Sequence, residues 1–199
     1  MKTWKDITLR QAQELITIKP SDFTEDLAYE VEVLSILLDK DPAEIESTWS
    51  AKQVIETLAE WNFINELPKQ QAKLVTTFKK DGVRYGLCKF DELSLGQMVD
   101  IEEYVNMGLL ENIHNIMATL YLPVNGYNIF TKKYTLKPYD SDPDRSEMFL
   151  DMDMDFVYGN LLFFYRIVLI YTKNMRDSLV EMSQEMMMKM KMDLEEQIV

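Results

Sequence analysis

The stretch AKLVTTFKKDGVRYGLCKFDELSLGQMVDIEEY, residues 72–104, decides how the chain is read. Two alternating runs meet at Asp81-Gly82. A type I′ turn needs φ > 0 at both central residues, and Asp-Gly meets that need at little steric cost. Leu74, Thr76 and Phe78 alternate with Val75, Thr77 and Lys79. Val83, Tyr85 and Leu87 alternate with Arg84, Gly86 and Cys88 on the return. Neither face is purely polar. A lone hairpin is marginal in water, so this one needs cover from helices or from a neighbouring subunit. Ser94 then caps an amphipathic helix over LGQMVDIEEYVNM, with Leu95, Met98, Ile101 and Val105 on one face.

On either side of this block the pattern is helical. Thr8 caps LRQAQELI, and Thr24 caps EDLAYEVEVLSILLD. Asp41-Pro42 starts a short helix with Pro at its first position. Ser50 caps AKQVIETLAEWNFINEL, which Pro68 ends. Gly108 is a left-handed stop before LLENIHNIMATLYL, which runs to Pro123. Residues 124–144 read as an extended loop rich in Tyr, Asn and Pro. RSEMFLDM resumes the helical pattern, and from about Asp155 the chain reads as helix to its end. The expectation is a mainly α protein: a helical bundle with one β-hairpin at about 73–90 and a long C-terminal helix. Its parts are a helical domain over 1–123, the loop over 124–144, and docking helices over 145–199.

Composition narrows the function. The chain has 199 residues and a formal net charge of −13. That balance argues against a sequence-reading nucleic-acid binder, which needs cations to neutralise phosphates. It is compatible with a passage wall to which DNA does not adhere. Cys88 is the single cysteine, so no intrachain disulfide forms. MKTWKDITLR lacks an apolar signal segment, which points to synthesis in a cytoplasm. FVYGNLLFFYRIVLIY, residues 156–171, falls short of the roughly 20 residues a bilayer needs. Asn160 and Arg166 interrupt it, so it reads as a core or interface helix and not a membrane span.

Chemistry-bearing motifs are scarce. His114 is the only histidine and has no second ligand at metal spacing. Asp151, Asp153 and Asp155 alternate, but no Gly follows in the EF-hand position, so they read as a solvated helix start. There is no phosphate-binding Gly loop and no G-x-S-x-G. The expectation is no enzyme, no cofactor, no metal and no catalytic residue. FTKKYTLKPY, residues 130–139, is the one place where basic and aromatic residues mix. It reads as a solvated loop, with contact to phosphates or an acidic partner as the functional alternative. Half of the fourteen methionines lie between Met175 and Met192, and Met adapts well to partner surfaces. The candidate interface residues are therefore Asp81, Gly82, Tyr127, Phe130, Tyr134, Tyr139, Met175, Met182 and Met186.

WKDITLRQAQEL, LAEWNFINELP, KFDELSLGQMVDIEEYV and ENIHNIMATLYLPV, taken in order over roughly residues 3–123, resemble small bacteriophage proteins. These are encoded among the tail and connector genes of podovirus-like phages, including crAss-like phages. The resemblance implies a structural virion protein: an oligomeric ring at the portal–tail connection, forming part of the DNA conduit. The implied partners are further copies of itself, about twelve by analogy with portals, together with the portal and other ring or tail proteins. Contact with DNA would be by non-specific proximity. A tail assembly chaperone absent from the mature particle is the alternative.

Overall fold

Side-chain caps set most of the helix starts. The computed structural model describes residues 2–65, 73–140, 142–161 and 163–164. Thr8 caps α1 (Leu9–Thr17) and Ser50 caps α4 (Ala51–Ala59), each in a reciprocal box with the Gln three residues on. Asp41 accepts from Ala43 N–H at the start of α3 (Pro42–Thr48). Helix α2 (Asp26–Leu38) begins one residue later than a Thr24 cap requires, and Glu25 at its boundary makes no capping bond. These four helices enclose two apolar clusters. Val31, Leu34, Ile45 and Val54 form one; Ile7, Leu37 and Trp61 form the other.

The expected single hairpin is corrected by a four-stranded antiparallel sheet, ordered β1-β2-β3-β4. β1 (Thr77–Lys80) and β2 (Val83–Leu87) join at Asp81 (φ 49°) and Gly82 (φ 79°), the double positive φ of a type I′ turn. β3 (Tyr121–Tyr127) pairs with β2 at Tyr85↔Pro123, Gly86↔Leu122 and Leu87↔Tyr121. β4 (Tyr134–Leu136) pairs with β3 across an irregularity between Val124 and Gly126. The sheet therefore draws on the end of the expected IMATLYL helix and on the expected loop over 124–144. The physical reason is the one that made the hairpin suspect: β2 alone exposes an unpaired edge, and β3 covers it.

Between β2 and β3 run α5 (Leu95–Asn106) and α6 (Ile113–Leu120), the latter passing directly into β3. Helix α5 is rotated from its expected face. Ile101 is buried, but so is Gln97, while Leu95 is 79% exposed. Gln97 Nε2 donates to Thr119 O at 2.8 Å and approaches Cys88 Sγ at 3.2 Å.

α7 (Pro143–Leu150), capped by Asp142, and the helix over 154–161 complete the core. The ring centroids of Tyr121, Phe149 and Phe156 lie 5.3, 5.8 and 5.2 Å from that of Phe78. Tyr121 is fully buried; its hydroxyl donates toward Asn160 Oδ1 at 2.6 Å and toward Val75 O. An isolated bridge, Thr8↔Asp153, ties the N-terminal segment to the start of the 154–161 helix. Apart from Leu161, all this lies in the compact unit Met1–Asn160; the second unit, Leu161–Val199, falls almost wholly outside the described residues.

Candidate functional site

The connection between β3 and β4 is a hydrogen-bonded loop. Asn128 Oδ1 accepts from the N–H groups of Phe130 and Thr131, both at 3.0 Å. Asn128 N–H donates to Lys133 O at 2.9 Å, and Lys132 adopts φ 55° to close the turn. An Asx turn of this kind fixes a loop tip through its own backbone. The result is an apolar knob: Ile129 is 78% exposed and Phe130 is 97% exposed. Lys132 and Lys133 follow, both exposed.

The knob has a braced base. The Arg84 guanidinium stacks 4.0 Å from the Tyr127 ring centroid. The Tyr134 ring lies against Gly86, where a Cβ would meet it at 2.6 Å. Its hydroxyl donates to Leu87 O at 2.7 Å, with Thr76 O at 3.3 Å. Burial raises the Tyr134 phenol above its ordinary range. Further along, the Tyr139 hydroxyl donates to the Asp100 carboxylate. Burial, then this acidic neighbour, push Tyr139 up to about 12. Arg145, 5% exposed, anchors the segment before α7: Nε donates to Ala118 O at 2.9 Å and Nη1 to Asp140 Oδ1 at 2.7 Å. That pairing holds the Asp140 carboxyl below the usual range.

The candidate interface residues thus separate. Tyr127 and Tyr134 brace the hairpin, Tyr139 ties the segment after β4 to α5, and of these four aromatic residues only Phe130 projects. The strand register, with Tyr85 opposite Pro123, carries the Asp81–Gly82 turn and the 128–133 loop to the same end of the sheet. Met175, Met182 and Met186 lie outside the described residues. Asn128, Ile129, Arg84 and Arg145 were not singled out in the sequence. Asn128 at a strand end was the available signal for the turn; the others act through partners distant in sequence.

A groove of about 740 Å³ runs beside the hairpin, between Lys132, Lys133 and Lys137 on one side and Cys88, Ser94 and Gln97 on the other. Burial raises the Cys88 thiol, which disfavours the nucleophilic thiolate. The acidic positions have structural duties. Asp151 pairs with Arg10 at 3.4 Å, Asp153 Oδ1 accepts from Phe156 N–H at 2.9 Å, and Asp155 lies 3.9 Å from Lys5. His114 Nδ1 lies 3.3 Å from Gln13 Nε2, and burial lowers its pKa. No helix among the described residues is long and apolar enough to cross a membrane.

No protein-family model matches the chain, and neither a curated protein nor a solved structure matches it.

Proposed function

We propose that this chain is a non-enzymatic assembly protein, a subunit of a homo-oligomeric ring at the portal–tail connection of a bacteriophage. The observation that carries the proposal is the β3–β4 tip. A solvated loop gains nothing by holding Phe130 at 97% exposure on a hydrogen-bonded, tyrosine-braced support. Such a knob is suited to burial in a protein surface, because binding then costs little ordering entropy. The resemblance of residues 3–123 to phage connector proteins supplies the location. The net charge of −13 suits a conduit, since an acidic wall repels the DNA phosphates and lets the duplex slide.

Its action would be mechanical: subunits close a ring, and the ring adapts the portal to the tail. Native mass spectrometry of the purified full chain, with proteomics of purified particles, tests this. The expected result is a discrete ring-sized species and the chain's presence in mature particles. A monomer at every concentration rejects the ring. An oligomer that is absent from particles assigns the chain to tail assembly as a chaperone.

A further inference from the structure

A second apolar feature lies far from the tip in sequence. It is a groove of about 490 Å³ lined by α1, α2, α4 and the turn after α4. Leu15, Val33, Leu58 and Trp61 line it, and Ile55 stands 58% exposed on its α4 side. Trp61 is 3% exposed, yet among the described residues its indole N–H has no hydrogen-bond partner. That nitrogen is itself shielded from solvent, and the lining of the groove is mostly apolar. One acid lies in the lining, Glu30, and the exposed Glu60 sits in sequence between the lining residues Ala59 and Trp61. The Lys2 Nζ lies 5.0 Å above the Trp61 ring.

The tip and this groove are complementary. One is a convex apolar pair followed by two lysines; the other is a concave, mostly apolar surface with Glu30 in its lining. Phe130 is 97% exposed, so the tip does not fill the groove of its own copy.

We propose that the β3–β4 tip of one copy, Ile129 and Phe130 with Lys132 and Lys133, seats in the α1–α2–α4 groove of the next copy. This joint rests on the ring assignment above and specifies how the ring closes. Tip and groove are different surfaces, so the contact is head-to-tail; such contacts form rings when their rotation closes. Burying Phe130 removes roughly 200 Å² of aromatic surface from water, which makes it the anchor of the joint.

Two full-chain variants test the joint, Phe130→Asp on the knob and Ile55→Asp on the groove. Both side chains are exposed, so circular dichroism should be unchanged. Each variant alone should assemble at least about 30-fold more weakly than the parent, the loss a hot spot shows. Phe130→Asp keeps an intact groove, and Ile55→Asp keeps an intact tip. Mixed together, they should form a one-to-one heterodimer that does not grow, read by mass photometry. If the parent assembles and either variant assembles equally well, the joint is wrong and the ring assignment stands. Variants that are each monomeric but fail to pair when mixed also overturn it, because the groove then receives something other than this tip. A monomeric parent removes both the joint and the ring.

Discussion

Arg145→Met is the most informative single change for the fold. The side chain is 4% exposed and its guanidinium reaches three acceptors: Ala118 O, Asp140 Oδ1 and Asp140 O. They are not equivalent. Ala118 lies in the last turn of α6, where a helix leaves its own carbonyls without intrahelical donors, and its bond to Arg145 is buried. Losing the donor leaves that carbonyl desolvated, at about 1–3 kcal/mol. Asp140 is different, because its side chain is 72% exposed and water can replace the arginine. That pair belongs in the surface range, below about 1 kcal/mol. Methionine recovers much of the packing and removes the desolvation of a buried charge. The net expectation is a loss of about 2–3 kcal/mol, or roughly 5–10 °C in Tm for a unit of this size. Arg145→Lys should lose less, since one ammonium can meet the Ala118 carbonyl but not the whole fork. Asp140→Asn should lose least. Urea titration of the three variants checks the order. If Asp140→Asn proves as costly as Arg145→Met, the ion pair matters more than the helix-end carbonyl and the reasoning fails.

Tyr121→Phe keeps the buried ring and removes only the hydroxyl shared by Asn160 and Val75, so urea denaturation should show a loss of about 2 kcal/mol; an unchanged midpoint would show that those acceptors find other donors. Gly86→Ala places a Cβ 2.6 Å from the Tyr134 ring and 2.9 Å from the Leu136 side chain, an overpacking that should cost about 1–3 kcal/mol. Adding Tyr134→Ala should make the double variant less damaging than the sum of the two, and simple additivity would contradict the contact. Gly82→Ala meets no atom within 4 Å but must hold φ +79°, so its cost of about 1 kcal/mol should be independent of Tyr134. Burial raises Tyr85, Tyr104, Tyr121, Tyr134 and Tyr139 above their ordinary 10.0. Their folded values exceed their unfolded ones, so the stability they support is complete below pH 10 and is lost as pH rises through the folded values. The urea midpoint should therefore fall as pH rises from about 10 to about 12 and fall less in Tyr121→Phe, and a flat profile would refute the assignment.

What the sequence made legible was local chemistry. Thr8, Asp41, Ser50 and Ser94 cap helices because a side-chain oxygen reaches an amide two or three residues away. Asp81-Gly82 turns the first hairpin because its conformation is an intrinsic preference. What stayed hidden required a distant partner. Tyr121 and Leu122 continue an apolar helical run, yet they are strand because β2 offers an edge. Pro123, Asn125 and Gly126 depress any strand signal. Gln97 occupies a core position that apolar periodicity gave to Leu95 and Met98, because its amide meets Thr119 O.

The same distinction explains the candidate interface. Four aromatic residues, Tyr127, Phe130, Tyr134 and Tyr139, stand within thirteen positions and look alike in a pattern. Tyr134 and Tyr139 each carry a hydroxyl that finds an acceptor at least 39 residues away in sequence, and Tyr127 gives its ring face to Arg84. Those attachments hold the three against the body. Phe130 has no polar handle, and Asn128 turns the backbone so that its ring points away from the sheet that could have covered it. An exposed phenylalanine on a loosely tethered loop would lose ordering entropy on docking. Here that ordering is already present in the hydrogen bonds of the turn and in the tyrosine braces. Fixing an apolar group outside its own core favours folding little, whereas it lowers the cost of joining a partner. The fold therefore places its strongest case for assembly at Ile129 and Phe130, at the end of a hairpin the sequence showed only as a loop.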